Sequence, residues 1–224
     1  MWPFQNQAQG KPPYQRRTMH DPNGTGIFYM DREIALVMGH EGADWLERPE
    51  REVEEAPDVL VRALKLKPGM VVADIGAGSG YFSFRMAPRV GTKGKILAVD
   101  IQPEMLAIIN ERSRINRVKI VETVLGKSDD TCLKPESVDL ILLVDVYHEF
   151  DKPYEMTISM VKSLKKGGRL VLVEYRQEDR RVPIKEVHKM SQAQLRKEMG
   201  LFPVKWVETN PALPWQHIVI FEKL

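Results

Sequence analysis

Cysteine is almost missing from this sequence, because Cys132 is the single one among its 224 residues. One thiol cannot form an internal disulfide or build a cysteine-based metal site. Long apolar runs are missing as well: no segment approaches the ~20 apolar residues of a membrane span, and Met1–Gly10 lacks the apolar run of a signal peptide. We therefore expect no membrane span and a reducing compartment, the cytoplasm.

An excess of charge of one sign is also missing. The 33 Lys and Arg residues against 31 Asp and Glu leave a net charge of +2. Nucleic-acid-binding domains usually carry an excess of Lys and Arg, and this sequence has almost none, so a nucleic-acid partner is not expected. The length is enough for one α/β domain with a substantial core, acting as a monomer or a homodimer.

The first 54 residues and the rest of the chain follow different patterns. Up to about Thr25 the sequence is rich in Gln, Pro, Asn and Gly, which predicts a flexible tail or surface arm. A short helix is predicted over Met30–Gly39, and His40–Arg51 mixes charges with Trp45. We predict that residues 1–54 form a tail and a helical lid over the substrate side, with Trp45 at the substrate. The alternative is a helix packed on the sheet edge with Trp45 as its anchor.

Residues 55–224 alternate apolar strands with helical patterns. A helix is predicted over Glu52–Leu66, and strands are predicted over Met70–Ile75, Lys95–Asp100, Val118–Glu122, Val138–Val144, Arg169–Glu174, Val204–Thr209 and His217–Glu222. The last two strands could pair antiparallel. The alternation predicts an α/β fold with a mostly parallel sheet and helices on both faces.

A glycine-rich turn follows the first of these strands and opens a helix. It reads Asp74-Ile75-Gly76-Ala77-Gly78-Ser79-Gly80, with Tyr81 next. Glycine lets a ligand approach the main chain, and the unpaired N–H groups of a helix N-terminus favour an anion. The dinucleotide fingerprint is Gly-x-Gly-x-x-Gly, but here the third glycine comes one residue early and Tyr81 holds its place. The spacing favours S-adenosylmethionine (SAM), whose carboxylate is such an anion, over NAD.

Two carboxylates support this interpretation. Asp74 comes two residues before Gly76, where it can receive the ammonium group of SAM directly or through water, and NAD has no such group. Asp100 ends the second strand, where it can accept hydrogen bonds from both hydroxyls of a ribose. Ile101 follows and could pack on the face of the adenine.

These segments resemble the class I SAM-dependent methyltransferases, in particular small-molecule enzymes of the ubiquinone/menaquinone type. The resemblance runs from about Glu55 to the C-terminus and rests on VADIGAGSGYFS, ILAVDIQPEML, VDLILLVDVYHEF and LKKGGRLVLVEY. It implies a Rossmann-like seven-stranded sheet of order 3-2-1-4-5-7-6, with strand seven antiparallel. It also implies SAM as the cofactor, bound by the turn from Asp74 to Tyr81.

The sequence departs from this family beside the third strand. Many relatives carry an Asp after the glycine that follows this strand, and that Asp binds the adenine amino group; here Lys127 stands in its place. We therefore expect adenine contacts from backbone groups around Lys127 and Ser128 or from Asp129. Arsenite methyltransferases bind arsenic through several cysteines. This sequence has only Cys132, which argues against arsenite as the substrate.

The residues after the fourth strand are predicted to enter the reaction site. Ligands of doubly wound sheets lie outside the carboxyl ends of the strands, which is where Asp145 to Phe150 fall. Asp145 would face the methyl donor. His148 is the first candidate for a general base because its ordinary pKa is ~6.5, and Glu149 is the second. Tyr147 would form a wall around the substrate. The alternative for His148 is a cap on the next helix.

The fifth strand delivers Glu174 and Tyr175 to the same edge, and His188 lies in the basic segment that follows. In this family that segment often helps to cover the substrate. These three side chains are therefore predicted substrate contacts, and a solvated basic loop is the alternative for His188.

No metal is predicted, because the spacing gives no support for a site built from His40, Glu41, His148 and Glu149. The leading hypothesis is a SAM-dependent methyltransferase that transfers a methyl group to a small-molecule acceptor by in-line displacement. The alternatives are an RNA or protein methyltransferase, a SAM-binding protein without catalysis and, disfavoured by the glycine spacing, an NAD-dependent oxidoreductase.

Overall fold

The computed structural model describes residues 14–224, so the first part of the predicted tail lies outside the described residues. The strands are, in chain order, β1 (Tyr14–Arg16), β2 (Gly24–Tyr29), β3 (Arg32–Ala35), β4 (Val71–Ile75), β5 (Lys95–Asp100), β6 (Val121–Leu125), β7 (Val138–Val144), β8 (Leu164–Arg176), β9 (Lys189–Met190), β10 (Val204–Asn210) and β11 (Gln216–Lys223). The helices are α1 (Ala43–Leu46), α2 (Arg51–Glu54), α3 (Pro57–Ala63), α4 (Tyr81–Val90), α5 (Pro103–Ile115), α6 (Pro153–Ser163) and α7 (Gln192–Met199). Short 3₁₀ turns lie at His40–Gly42, Tyr147–Glu149 and Glu186–His188. Over residues 14–224, no helix combines the length and the apolar character that crossing a lipid bilayer requires.

The central sheet has the strand order β10-β11-β8-β7-β4-β5-β6, and β9 pairs with the end of β8. Strands β6, β5, β4, β7 and β8 run parallel to their neighbours in this series. Strand β11 runs antiparallel to both β8 and β10. Counted from β4 and without β9, this is the order 3-2-1-4-5-7-6. The predicted mostly parallel sheet with an antiparallel last strand is confirmed.

The central strands are apolar because helices cover both faces of the sheet. Along β7, Leu140 and Leu142 belong to one buried cluster with side chains of α3, α4 and α5. Ile141 and Leu143 belong to a second buried cluster with side chains of α6 and α7. Successive side chains of a strand point to opposite faces, so one apolar run serves both cores.

The N-terminal part of the described chain is a small β-sheet, where the sequence predicted a tail and a helix. Strands β1, β2 and β3 pair antiparallel in this order. The helix predicted over Met30–Gly39 is wrong: Met30 and Asp31 form a two-residue turn with φ of 49° and 74°, and β3 follows. Such turns usually carry Asn-Gly or Asp-Gly, so Met-Asp gave no turn signal.

The single helix predicted over Glu52–Leu66 is also wrong in its extent. It is divided into α2 and α3 at Ala56, which has a left-handed φ of 48°. A proline sterically disfavours the helical conformation in the residue before it, and Pro57 follows here. Pro57 then occupies the first turn of α3, where its missing N–H costs no hydrogen bond. A boundary between residues 54 and 55 stays a prediction.

A buried ion pair holds the N-terminal sheet on the rest of the protein. Arg32 in β3 donates two hydrogen bonds to the carboxylate of Glu198 in α7, from Nε to Oε1 (2.9 Å) and from Nη2 to Oε2 (3.1 Å). Its Nη1 donates to the carbonyl oxygen of His148 (3.2 Å). The Tyr147 hydroxyl donates to Glu198 Oε2 (2.7 Å), and Glu198 is fully buried. Without Arg32, a buried carboxylate would lose its counterion.

Replacing Arg32 with Met should lower the free energy of unfolding by about 3–5 kcal/mol, because Glu198 would stay buried without its opposite charge. Urea unfolding followed by circular dichroism measures this loss. Arg16→Met is the matched control, since Arg16 is exposed in β1, and it should change the free energy by less than ~0.5 kcal/mol. Small and equal effects of the two substitutions would contradict the anchoring role of the ion pair.

Candidate active site

A cavity of about 680 Å³ lies at the carboxyl ends of β4, β5, β7 and β8. The strand order reverses at β4, and such a switch point is where open α/β sheets bind ligands. The predicted site residues that line the cavity are Trp45, Gly76, Gly78, Asp100, Ile101, Lys127, Ser128, Asp145, His148, Glu149, Tyr175 and His188. Those that lie outside its lining are Asp74, Ala77, Ser79, Gly80, Tyr81, Tyr147 and Glu174.

The glycine-rich turn reaches the cavity through its backbone. The φ angles of Gly76 (68°) and Gly78 (54°) are positive, a region that residues with side chains rarely adopt. A Cβ atom at Gly76 would also clash with Val146, and one at Gly78 would clash with Leu46. Glycine is therefore needed both for the shape of the turn and for the close approach of its neighbours. Through Leu46, the segment predicted to be a lid contacts this turn directly.

Asp100 joins the turn to the end of β5. Its Oδ2 accepts a hydrogen bond from the N–H of Gly78 (2.9 Å), and its Oδ1 accepts one from the N–H of Gln102 (2.9 Å). Burial raises the pKa of the Asp100 carboxyl, and the backbone hydrogen bonds partly oppose this rise. A carboxylate oxygen has more than one acceptor position, so Asp100 can also accept hydrogen bonds from ligand hydroxyls.

Asp74 lies beneath the turn. Its Oδ2 accepts a hydrogen bond from the hydroxyl of Ser83 in α4 (2.6 Å). Burial raises the pKa of Asp74 to about 6, although the bond from Ser83 opposes the rise. Ser83 was not among the residues predicted for the site. The signal for it was the position of a hydroxyl in the first turn of the helix that follows the strand.

Asp145 has one oxygen that finds no partner among the described residues. Its Oδ2 accepts a hydrogen bond from Gln216 Nε2 (2.6 Å), whereas the buried Oδ1 accepts none within residues 14–224. Its φ of 53° is left-handed, a conformation that costs of order 1–3 kcal/mol in a residue with a side chain. Burial raises the pKa of Asp145 well above its ordinary value, and the charges of Glu55 and Glu174 raise it further. A cationic ligand beside Asp145 would favour its ionised form and oppose this rise in pKa.

A cluster of charged side chains on the cavity wall was not predicted. Arg48 Nη2 and Arg51 Nε donate hydrogen bonds to Glu55, at 2.8 Å and 2.5 Å. The Tyr175 hydroxyl donates to the same carboxylate (3.1 Å), and the Arg48 guanidinium lies 3.8 Å from the ring centre of Trp45. The sequence signal was the i, i+4 spacing of Arg51 and Glu55, which is typical of paired residues on a helix. The cluster attaches the segment around Trp45 to β8.

His148 lies between a carboxylate and a second histidine. Its Nδ1 is 2.6 Å from Glu174 Oε2, and its Nε2 is 3.1 Å from Nδ1 of His188. Glu149 Oε1 approaches both rings, at 3.9 Å from His148 Nε2 and 3.6 Å from His188 Nδ1. His148 and Glu174 are buried. The structure thus brings four of the predicted reaction and substrate residues into one cluster.

The neighbours in this cluster shift the pKa values in different directions. Burial alone would lower the pKa of His148, but the carboxylate of Glu174, with a smaller contribution from Glu149, raises it above the ordinary value. Burial, followed by the charge of His148, lowers the pKa of His188 to about 4. Burial also raises the pKa of Glu149, and His148 opposes this rise. His188 is accordingly neutral at neutral pH.

Tyr147 points away from the cavity. It is fully buried, and its hydroxyl donates to Glu198 while its ring meets the edge of Phe150 at 5.7 Å between ring centres. Phe150 itself lines the cavity. The prediction that Tyr147 forms a wall of the substrate site therefore has no support in this geometry.

Residues 66–213 match the family model described as methyltransferase domain. The match covers more than half of the chain, so the chain belongs to this family, the class I SAM-dependent methyltransferases. SAM is the methyl donor of the family.

Individual relatives differ in the substrates that their names give. The arsenite methyltransferase of Halobacterium salinarum is 30% identical over 110 residues, which are 48% of this chain and 27% of that protein. The ubiquinone biosynthesis O-methyltransferase of Xanthomonas campestris is 27% identical over 143 residues, 64% of this chain and 59% of that protein. The chain spans only part of the curated relatives that it matches, and the predicted ubiquinone/menaquinone type is not confirmed.

A solved structure shares the fold over most of the chain. The crystal structure of a SAM dependent methyltransferase from Aquifex aeolicus superimposes with a TM-score of 0.79 at 21% sequence identity. The comparison covers 84% of this chain and 100% of that one.

The stability of the protein should depend on the ionisation of Asp74. A folded-state pKa of about 6 against an ordinary value of 3.8 means that the folded protein holds the Asp74 proton more tightly than the unfolded chain does. The resulting stabilisation is complete below the ordinary pKa and is lost as the pH rises through about 6, a change on the order of 3 kcal/mol. Asp74→Asn cannot titrate, so urea unfolding at pH 4 and pH 7 should show a smaller decline for the variant. Parallel declines would contradict the shifted pKa.

Proposed function

We propose that this chain transfers a methyl group from SAM to a small-molecule acceptor by in-line displacement. The observation that carries the proposal is one cavity lined both by the glycine-rich turn with Asp100 and by His148, Glu149 and His188. One part of the cavity suits the methyl donor, and the other carries side chains able to bind an acceptor.

The cavity residues fit SAM in shape and charge. Asp100 would accept hydrogen bonds from the ribose hydroxyls, with Ile101 beside the adenine and the backbone of Lys127 and Ser128 at its edge. Asp145, which lines the cavity, would lie near the positive charges of the methionine part. SAM bound there would supply an electrophilic methyl carbon attached to a sulfonium.

The other cavity residues would bind and orient the acceptor. Displacement requires the acceptor atom in line with the methyl carbon, so positioning supplies much of the rate. The contact with Glu174 limits rotation of the His148 ring, and its Nε2 points to the cluster with His188 and Glu149. Removal of a proton from the acceptor by His148 or Glu149 stays a prediction. Trp45 and Tyr175 would exclude water from the reacting atoms.

A small acceptor is favoured by the size and the covering of the cavity. Its volume of about 680 Å³ lies within the ~300–1,000 Å³ that is usual for small-molecule sites. The same volume must also hold the methyl donor. The segment from Trp45 to Arg51 lies against the glycine-rich turn and on the cavity wall, which leaves less room for a polymer such as RNA or a protein segment.

Asp100→Ala should weaken SAM binding by roughly 10- to 150-fold, because charge-assisted hydrogen bonds contribute about 1.5–3 kcal/mol. Isothermal titration calorimetry with SAM, S-adenosylhomocysteine and NADH measures both affinity and preference. Asp44→Ala is the matched control, since Asp44 is exposed in α1 and lies outside the cavity lining. Tight NADH binding without SAM binding would refute the proposed donor.

The acceptor class can be tested with SAM that carries an isotopically labelled methyl group. Label should appear in a low-molecular-weight metabolite fraction incubated with the protein, and not in separate RNA and protein fractions of the same extract. Label in RNA or protein would overturn the small-molecule assignment. Tight SAM binding with no label in any of the three fractions would favour a SAM-binding protein without catalysis.

A further inference from the structure

Three side chains that follow β7 and β8 direct electron-pair donors at one point on the cavity wall. Nε2 of His148 and Nδ1 of His188 are 3.1 Å apart. Oε1 of Glu149 lies 3.6 Å from the His188 nitrogen and 3.9 Å from the His148 nitrogen. Ligand atoms bound ~2.1 Å from a tetrahedral ion are ~3.4 Å apart. The three separations thus bracket the value that a single bound ion requires.

The partners behind these side chains set their orientation. Glu174 Oε2 contacts Nδ1 of His148 (2.6 Å), so this nitrogen carries the proton and Nε2 directs its lone pair at the cluster. A carboxylate behind a histidine is the usual support of a metal-binding imidazole. Glu149 is held through its other oxygen, which accepts a hydrogen bond from the N–H of Met38 (3.4 Å).

The charge of the cluster suits a divalent cation. Glu149 and Glu174 bring two carboxylates to the two histidines. The guanidinium of Arg32, which donates to the carbonyl oxygen of His148, is already paired with Glu198. His148 and Glu174 are buried, which strengthens the attraction of these carboxylates for a cation.

We propose that His148, Glu149 and His188 bind one divalent transition-metal ion of the zinc class. Two histidines and one carboxylate are a set that binds Zn²⁺ with one position left for water or substrate. All three residues line the cavity, so that open position faces the acceptor part of the cavity. The sequence suggested no such site because the nearest histidine to His148 in space is 40 residues away along the chain. His40 and Glu41 are not part of it, since they pair with each other (3.7 Å).

A metal ion at this site would favour an acceptor that carries a hydroxyl group. This inference rests on the proposed function. The ion would hold an acceptor hydroxyl and stabilise the charge left on its oxygen when the proton departs to solvent. That oxygen then forms the new bond to the methyl carbon, and the electron pair of the broken carbon–sulfur bond stays on sulfur. Nε2 of His148 cannot bind an ion and accept a proton at once, so the ion would replace His148 as the activating group.

The test uses the full chain after dialysis against a chelator, titrated with ZnCl₂ by calorimetry. One Zn²⁺ should bind per chain. Glu174→Gln keeps all three ligands and should weaken Zn²⁺ binding by ~10- to 100-fold, and loss of the ligand in His188→Ala should weaken it further. His40→Ala is the control and should bind Zn²⁺ as the unchanged protein does. Titration with CoCl₂ adds a second readout, a visible absorption band that His188→Ala should abolish.

The results separate this site from the proposed function. If the unchanged protein binds no Zn²⁺, or if His188→Ala and His40→Ala bind it equally, the metal site is refuted. SAM binding by the same proteins is measured in a separate titration. Zn²⁺ binding without SAM binding would leave the metal site standing and refute the proposed methyl donor, whereas the reverse result would refute only the metal site.

Discussion

Glu174 is a buried carboxylate at the end of β8, and the neighbouring edge of the sheet depends on it. Its Oε1 accepts a hydrogen bond from the N–H of Tyr147 (3.0 Å), and its Oε2 contacts Nδ1 of His148 (2.6 Å). Because β7 and β8 are adjacent and parallel, a side chain at the end of one strand can fix the turn that follows the other. A charge buried here without these partners would be costly, so Glu174 and the turn after β7 must become ordered together.

The parallel part of the fold could be predicted because each of its strands is a short apolar run between helical patterns. The strand order, however, came from the resemblance to a family and not from any pattern in the chain. The N-terminal sheet could not be predicted from the sequence, for a physical reason. Its strands are short, and Met30 and Asp31 adopt positive φ angles without the glycine that usually marks such a turn.

The same distinction holds in the cavity. Gly76, Gly78 and Asp100 could be predicted because backbone geometry at the end of a strand places them. The contacts of Glu55 with Tyr175, and of Asp145 with Gln216, could not, because no spacing rule connects segments so far apart in the chain. Asp74 and Tyr147 lie outside the cavity lining for the same reason. Neighbouring side chains of an extended strand or a tight turn point to different sides, so a motif cannot present every one of its residues to the ligand.

Arg32 belongs to two parts of the molecule at once. It lies in β3, yet its guanidinium binds both Glu198 and the carbonyl oxygen of His148. The attachment of the N-terminal sheet and the ordering of the turn after β7 share the Arg32 guanidinium and are therefore coupled. The coupling free energy is the same in both directions. An ordering of the turn at Tyr147–Glu149 that strengthens this hydrogen bond would strengthen the attachment of β2 and β3 by the coupling free energy. The rate at which the backbone amides of these two strands exchange with deuterated water would then report the occupancy of a cavity that the strands themselves do not line.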